Sequence, residues 1–107
     1  MLKEGLVAYH VQMVRDQGHM LGPEHLLYLA TKAGAEALSL GETTGDFTPG
    51  KEADIVLLHA PEGSTLEAVL EAAPDWTATL GALFTLAREE CVKETRVAGE
   101  AVYTSTK

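Results

Sequence analysis

The amino-acid sequence predicts a single α+β unit in which helices and a few β-strands share one core. Two N-terminal segments repeat apolar residues every three to four positions, as amphipathic helices do. Residues 55–58 form a short apolar run typical of a strand, and residues 95–103 hold two β-prone runs around a glycine. With 107 residues and 46% hydrophobic content, one domain is the upper limit.

The N-terminal part is predicted to contain two helices. The first covers residues 2–16 and ends at Gln17-Gly18; the second begins at Pro23, which needs no helical N–H there, and ends near Leu40 before a Gly41 stop. Small residues in the second helix predict close approach of a neighbour. The apolar positions of the two helices are Leu6, Val7, Tyr9, Val11, Met13, Val14, Leu26, Leu27, Ala30, Ala33, Gly34, Ala37 and Leu38.

The remaining elements are bounded by turn and capping residues. Residues 43–50 contain the Pro49-Gly50 turn signal, and the strand at residues 55–58 lacks polar alternation, which predicts burial on both faces. Helices are predicted at residues 66–73 and 76–88, with Asp75 capping the second, and a hairpin at residues 95–103. The inward positions of the last helix are Leu80, Leu83, Phe84 and Ala87.

Composition limits the partners that this chain can have. Sixteen acidic residues against eight basic ones give a net charge of −8, so no basic patch is expected for nucleic acid or an anionic membrane surface. The single cysteine, Cys91, cannot form an internal disulfide, and neither a long apolar run nor a basic leader is present. We therefore expect a cytoplasmic protein.

One segment imitates a phosphate-binding loop. Residues 45–51 match the glycine-rich pattern up to Lys51, but Glu52 stands where a magnesium-binding serine or threonine is required. A strand rather than a helix follows, so no helix N-terminus would face the anion. The segment is therefore interpreted as a turn, and no nucleotide cofactor is expected.

The side chains that could form a metal or catalytic site are scattered. No two of the four histidines have the spacing that brings imidazoles to one side of a helix or strand, Cys91 is a lone thiol, and the acidic pairs are typical of a solvated surface. We therefore expect no catalytic, cofactor-binding or metal residues in this chain, although long-range assembly of histidines and a histidine beside Cys91 stay open. These residues are His10, His19, His25, His59, Cys91, Glu67, Glu71, Glu89 and Glu90.

Three blocks in order resemble the C-terminal end of the metal-dependent amidohydrolases. They are the helix Leu26-Leu27-Tyr28-Leu29-Ala30-Thr31-Lys32-Ala33-Gly34-Ala35-Glu36-Ala37-Leu38, the segment from Gly45-Asp46-Phe47 through Lys51-Glu52-Ala53-Asp54 to Leu58, and Val97-Ala98-Gly99-Glu100-Ala101-Val102-Tyr103. The resemblance implies that residues 1–41 are terminal helices of an α/β barrel. It also implies that residues 42–107 are part of a small β-sandwich, with inserted helices, that both chain ends build together.

Within that superfamily the chain is most similar to guanine deaminases. The similarity lies in Met1-Leu2-Lys3, Ala8-Tyr9, Val11-Gln12 and the stretch from Leu80 to Leu86 ahead of Val92. The family hydrolyses guanine to xanthine and ammonia with a zinc-bound hydroxide. Its His-x-His pair, two further histidines and aspartate would all precede Met1, and Phe47 replaces a usual aliphatic residue.

The resemblance leads to one hypothesis and two alternatives. The chain is expected to be a C-terminal fragment of a guanine-deaminase-like hydrolase, without activity of its own, whose partner is the missing N-terminal part or a second copy of itself. The first alternative is a free-standing noncatalytic module for oligomerisation or partner binding, and the second is a small hydrolase with a rebuilt site. Apolar surface left without its usual cover predicts self-association.

Overall fold

A computed structural model of the chain describes residues 2–106, and it contains helices and one antiparallel sheet, which confirms the α+β class. No described helix is long and apolar enough to cross a membrane. The elements in chain order are α1 (Leu2–Val14), α2 (Pro23–Ala30), α3 (Lys32–Ala37), β1 (Ile55–Leu58), α4 (Thr65–Ala72), α5 (Trp76–Leu86), a 3₁₀ turn (Glu89–Cys91), β2 (Val92–Val97) and β3 (Glu100–Thr104).

The predicted second helix is two helices, so the expectation of one helix from Pro23 to about Leu40 was wrong. Thr31 leaves the helical region at φ −124°, ψ −91°, and its hydroxyl donates a hydrogen bond to the Leu27 carbonyl at 2.6 Å. Such back-bonding by a threonine competes with the helical ladder. The predicted Gly41 stop was also wrong, because α3 ends at Ala37 and Ser39 adopts the positive φ of 62°.

The starts of α4 and α5 follow the capping rules. The Ser64 hydroxyl accepts a hydrogen bond from the Glu67 N–H at 3.1 Å, and the Asp75 carboxylate accepts one from the Ala78 N–H at 2.8 Å. Side-chain acceptors of this kind satisfy N–H groups that have no partner within the helix. The predicted cap at Asp75 is therefore confirmed, although α5 ends at Leu86 rather than near Arg88.

Helix α5 forms the centre of the helical layer, since α1, α2 and α4 all contact it. Gly5 of α1 lies so close to the Phe84 ring that a Cβ atom there would be 2.8 Å from the ring. The helices meet the end of the sheet in a cluster of buried residues. That cluster consists of Leu66, Ala82, Ala87 and Cys91, with Leu2, Ala60, Leu70, Leu83 and Leu86 packed around it.

The three strands form an antiparallel sheet in the order β1-β2-β3. The β2–β3 turn is formed by Ala98 (φ 50°) and Gly99 (φ 83°), and two consecutive positive φ angles characterise the type I′ turn of tight hairpins. The predicted hairpin is confirmed and extends beyond residues 95–103 at both ends.

The prediction that residues 55–58 are buried on both faces was wrong for this chain. Val56 lies opposite Thr95, which lies opposite Tyr103, so these three side chains share one face, while Leu57 points to the other. Val56 is 54% exposed and Leu57 45% exposed. The strand has the composition of a doubly buried one, but the described residues leave both of its faces open to solvent.

The loop between α3 and β1 depends on two glycines with positive φ. Gly50 (φ 98°) follows Pro49 in the predicted turn, which the hydrogen bond from Lys51 N–H to the Thr48 carbonyl at 3.1 Å closes. Gly45 (φ 109°) packs against α3, where a Cβ atom would lie 2.8 Å from the Ala35 Cβ. The loop is therefore held tightly to α3 at Gly45.

We predict that Gly45→Ala destabilises the fold more than Gly50→Ala does. Both substitutions place a Cβ at positive φ, at a cost of about 1–2 kcal/mol, but only Gly45 has a neighbour within 4 Å, since nothing lies that close to Gly50. The additional overlap should cost about 1–3 kcal/mol. Urea unfolding of the two variants measures the difference, and equal losses would contradict the close contact with α3.

Candidate functional site

The four histidines lie in different parts of the structure. The His10 ring packs at 5.5 Å from the Tyr9 ring, the His19 N–H donates to Gln12 Oε1, and His25 Nδ1 accepts from the Gly22 N–H at 3.2 Å. The His25 side chain thus accepts a hydrogen bond from the N-cap residue of its own helix, α2. Within residues 2–106, no three histidine, cysteine, aspartate or glutamate side chains come together as a metal site.

His59 and Cys91 are neighbours at the junction of helices and sheet. The His59 N–H donates to the Cys91 carbonyl at 2.8 Å, and the thiol side chain is buried at 2% exposure in the core. His59 Nε2 is shielded from solvent without a hydrogen-bond partner. The Cys91 thiol packs among leucine and alanine side chains of the buried cluster, and the contact recorded with His59 is the backbone hydrogen bond.

In the phosphate-loop-like segment, residues 45–51, an aspartate already pairs with the lysine that would bind an anion. Lys51 Nζ lies 3.0 Å from Asp46 Oδ2 and Lys32 Nζ 3.9 Å from it, so the carboxylate stands where an anion would need to bind. Hydrogen bonds from Thr48 and then Lys51 hold the pKa of Asp46 far below its usual range. An open cleft of about 580 Å³ beside it also contains Glu36 and Glu42, which would repel phosphate.

Asp54 joins the loop to the hairpin turn, and sequence reasoning did not single it out. Its carboxylate accepts the Ala98 N–H at 2.8 Å and the Thr44 hydroxyl at 2.9 Å, while the Ala53 carbonyl accepts the Gly99 N–H at 2.9 Å. The Ala98 bond is the larger cause of the lowered pKa of Asp54. No sequence signal could have found this contact, because its partner is 44 residues away.

The two acidic pairs lie on different elements. Glu67 and Glu71 occupy one side of α4, and Glu89 and Glu90 lie in the 3₁₀ turn. Glu24 accepts a hydrogen bond from the Thr77 hydroxyl. This bond lowers the pKa of Glu24 and connects α2 with the start of α5.

Comparison with known proteins identifies what this arrangement resembles. The model of the amidohydrolase family matches residues 1–102. The chain is 49% identical over 104 residues to a protein described as a probable guanine deaminase from Deinococcus radiodurans, covering 96% of this chain and 24% of that protein. It is 32% identical over 92 residues to the guanine deaminase of Escherichia coli, covering 86% and 21%.

Solved structures give the same result. The structure of E. coli guanine deaminase superposes with a TM-score of 0.89 at 30% identity, over 98% of this chain and 24% of that one. Guanine deaminase from Bradyrhizobium japonicum shares the fold, with a TM-score of 0.73 at 24% identity over 98% and 27%. The chain spans about a quarter of the length of these relatives and corresponds to their C-terminal portion.

We predict that Asp54→Asn loosens the hairpin at neutral pH and that the effect disappears in acid. Because folding lowers the pKa of Asp54, its stabilising contribution is present above the unfolded pKa of about 4 and is lost as pH falls through the folded value. Melting temperatures of both proteins, measured from about pH 7 to about pH 2, should therefore converge at low pH. A gap that widens in acid would contradict the role of the carboxylate.

We also predict that the isolated chain retains no stoichiometric zinc. A catalytic zinc requires three protein ligands that converge, and no three histidine, cysteine, aspartate or glutamate side chains do so within residues 2–106. Metal analysis after dialysis against a weak chelator provides the measurement. One zinc per chain would contradict the prediction and would direct attention to His10, His19, His25 and His59.

Proposed function

We propose a function on the premise that this chain belongs to the amidohydrolase family, whose model it matches over residues 1–102. In the proposal, the chain is the C-terminal part of a guanine deaminase, an enzyme that hydrolyses guanine to xanthine and ammonia. It contributes scaffold rather than catalytic groups. The observation that carries the proposal is the exposure of many large apolar side chains in a chain whose fold matches part of E. coli guanine deaminase.

The surface area of the chain supports this interpretation. The accessible surface is 7700 Å², whereas a folded monomer of 11.4 kDa exposes about 5,800 Å². The radius of gyration is 15.0 Å, against about 13 Å for a compact chain of this length. The excess of about 1,900 Å² is more than twice what one partner contributes to a standard interface.

The sheet shows where part of that cover is needed. One face presents Val56 and Tyr103, both about half exposed, and the other presents Leu57. A strand with apolar side chains on both faces belongs in the interior of a layered structure. We propose that N-terminal strands of the complete enzyme cover this sheet and form a β-sandwich with it.

Helix α1 requires a neighbour as well. Val7, Val11 and Val14 follow one another at helical spacing and are 50%, 47% and 81% exposed. The opposite side of α1, including Gly5, packs against α5. A helix that is apolar on both sides is suited to the interior of a larger protein, and we propose that α1 to α3 are terminal helices of the catalytic barrel.

The proposal assigns the chemistry to the remainder of the enzyme. In the guanine deaminase family a zinc-bound hydroxide attacks the amino-bearing ring carbon. The described residues of this chain do not fit a zinc site, since no three histidine, cysteine, aspartate or glutamate side chains among them come together. We therefore assign no reaction step to them, and this chain would act by completing and stabilising the scaffold.

A second candidate is a noncatalytic module that covers the same surfaces by self-association. The exposed apolar area favours it as much as it favours an N-terminal partner. The net charge of −8 opposes the close approach of two copies. Mixing the chain with the N-terminal part of a relative separates the two candidates.

We predict that the chain alone releases no ammonia from guanine and that activity appears on mixing with the N-terminal three-quarters of the enzyme. The N-terminal part would be taken from the D. radiodurans relative, which is 49% identical in the shared region. Ammonia release is measured for each part and for the mixture, together with sedimentation of all three samples. The expected result is one mixed complex that is active.

Matched variants make the test specific. Val56→Asp places a charge on an exposed apolar position of the sheet and should abolish the complex, whereas Glu52→Gln on the exposed loop should not. Activity of the chain alone would overturn the proposal. Stable oligomers of the chain that do not exchange with the N-terminal part would favour the second candidate instead.

A further inference from the structure

We draw no further inference here: the strongest candidate, the open apolar groove between α4 and the start of α5, is a face without a partner, and nothing in the structure shows what covers it.

Discussion

The helical layer depends on the uncharged surface of α5. From Trp76 to Ala87 the chain has no charged residue, and α1, α2 and α4 each pack on this helix. The approach of α1 is possible because Gly5 has no side chain to meet Phe84. The hydrogen bond between Thr77 and Glu24 then fixes α2 beside the start of α5. One apolar helix thus organises three others, and the polar contacts determine their orientation.

The sheet is attached to this layer differently. Its near end reaches the core, through Ala60 after β1 and Cys91 before β2. The far end is held by polar contacts, in which Asp54 binds both the loop and the hairpin turn. Hydrogen bonds fix geometry, but they bury little apolar area. The sheet is therefore positioned by this chain without being covered by it, as expected of one part of a larger layered protein.

Local signals in the sequence predicted much of the fold, and contacts between distant residues limited the rest. The start of α2 at Pro23, the cap at Asp75 and the turn at Gly50 follow from the properties of single residues. The break at Thr31 was missed because threonine occurs in many unbroken helices, and its bond to Leu27 is visible only in the structure. Asp54 was missed for the same reason, since its partner is remote in sequence.

The error over β1 has a different origin and is the more informative one. The apolar residues of a strand reflect the environment in which the complete protein places it, whereas exposure depends on which segments are present. Val56 and Leu57 point to opposite faces, and each is about half exposed. A sequence pattern that predicts burial, combined with observed exposure, is therefore the basis on which we propose that another layer covers this sheet. Applied along the chain, the same comparison selects Val7, Val11 and Val14 of α1. In the proposed function, the residues that contradict the sequence prediction are those through which this chain would contact the remainder of a longer protein.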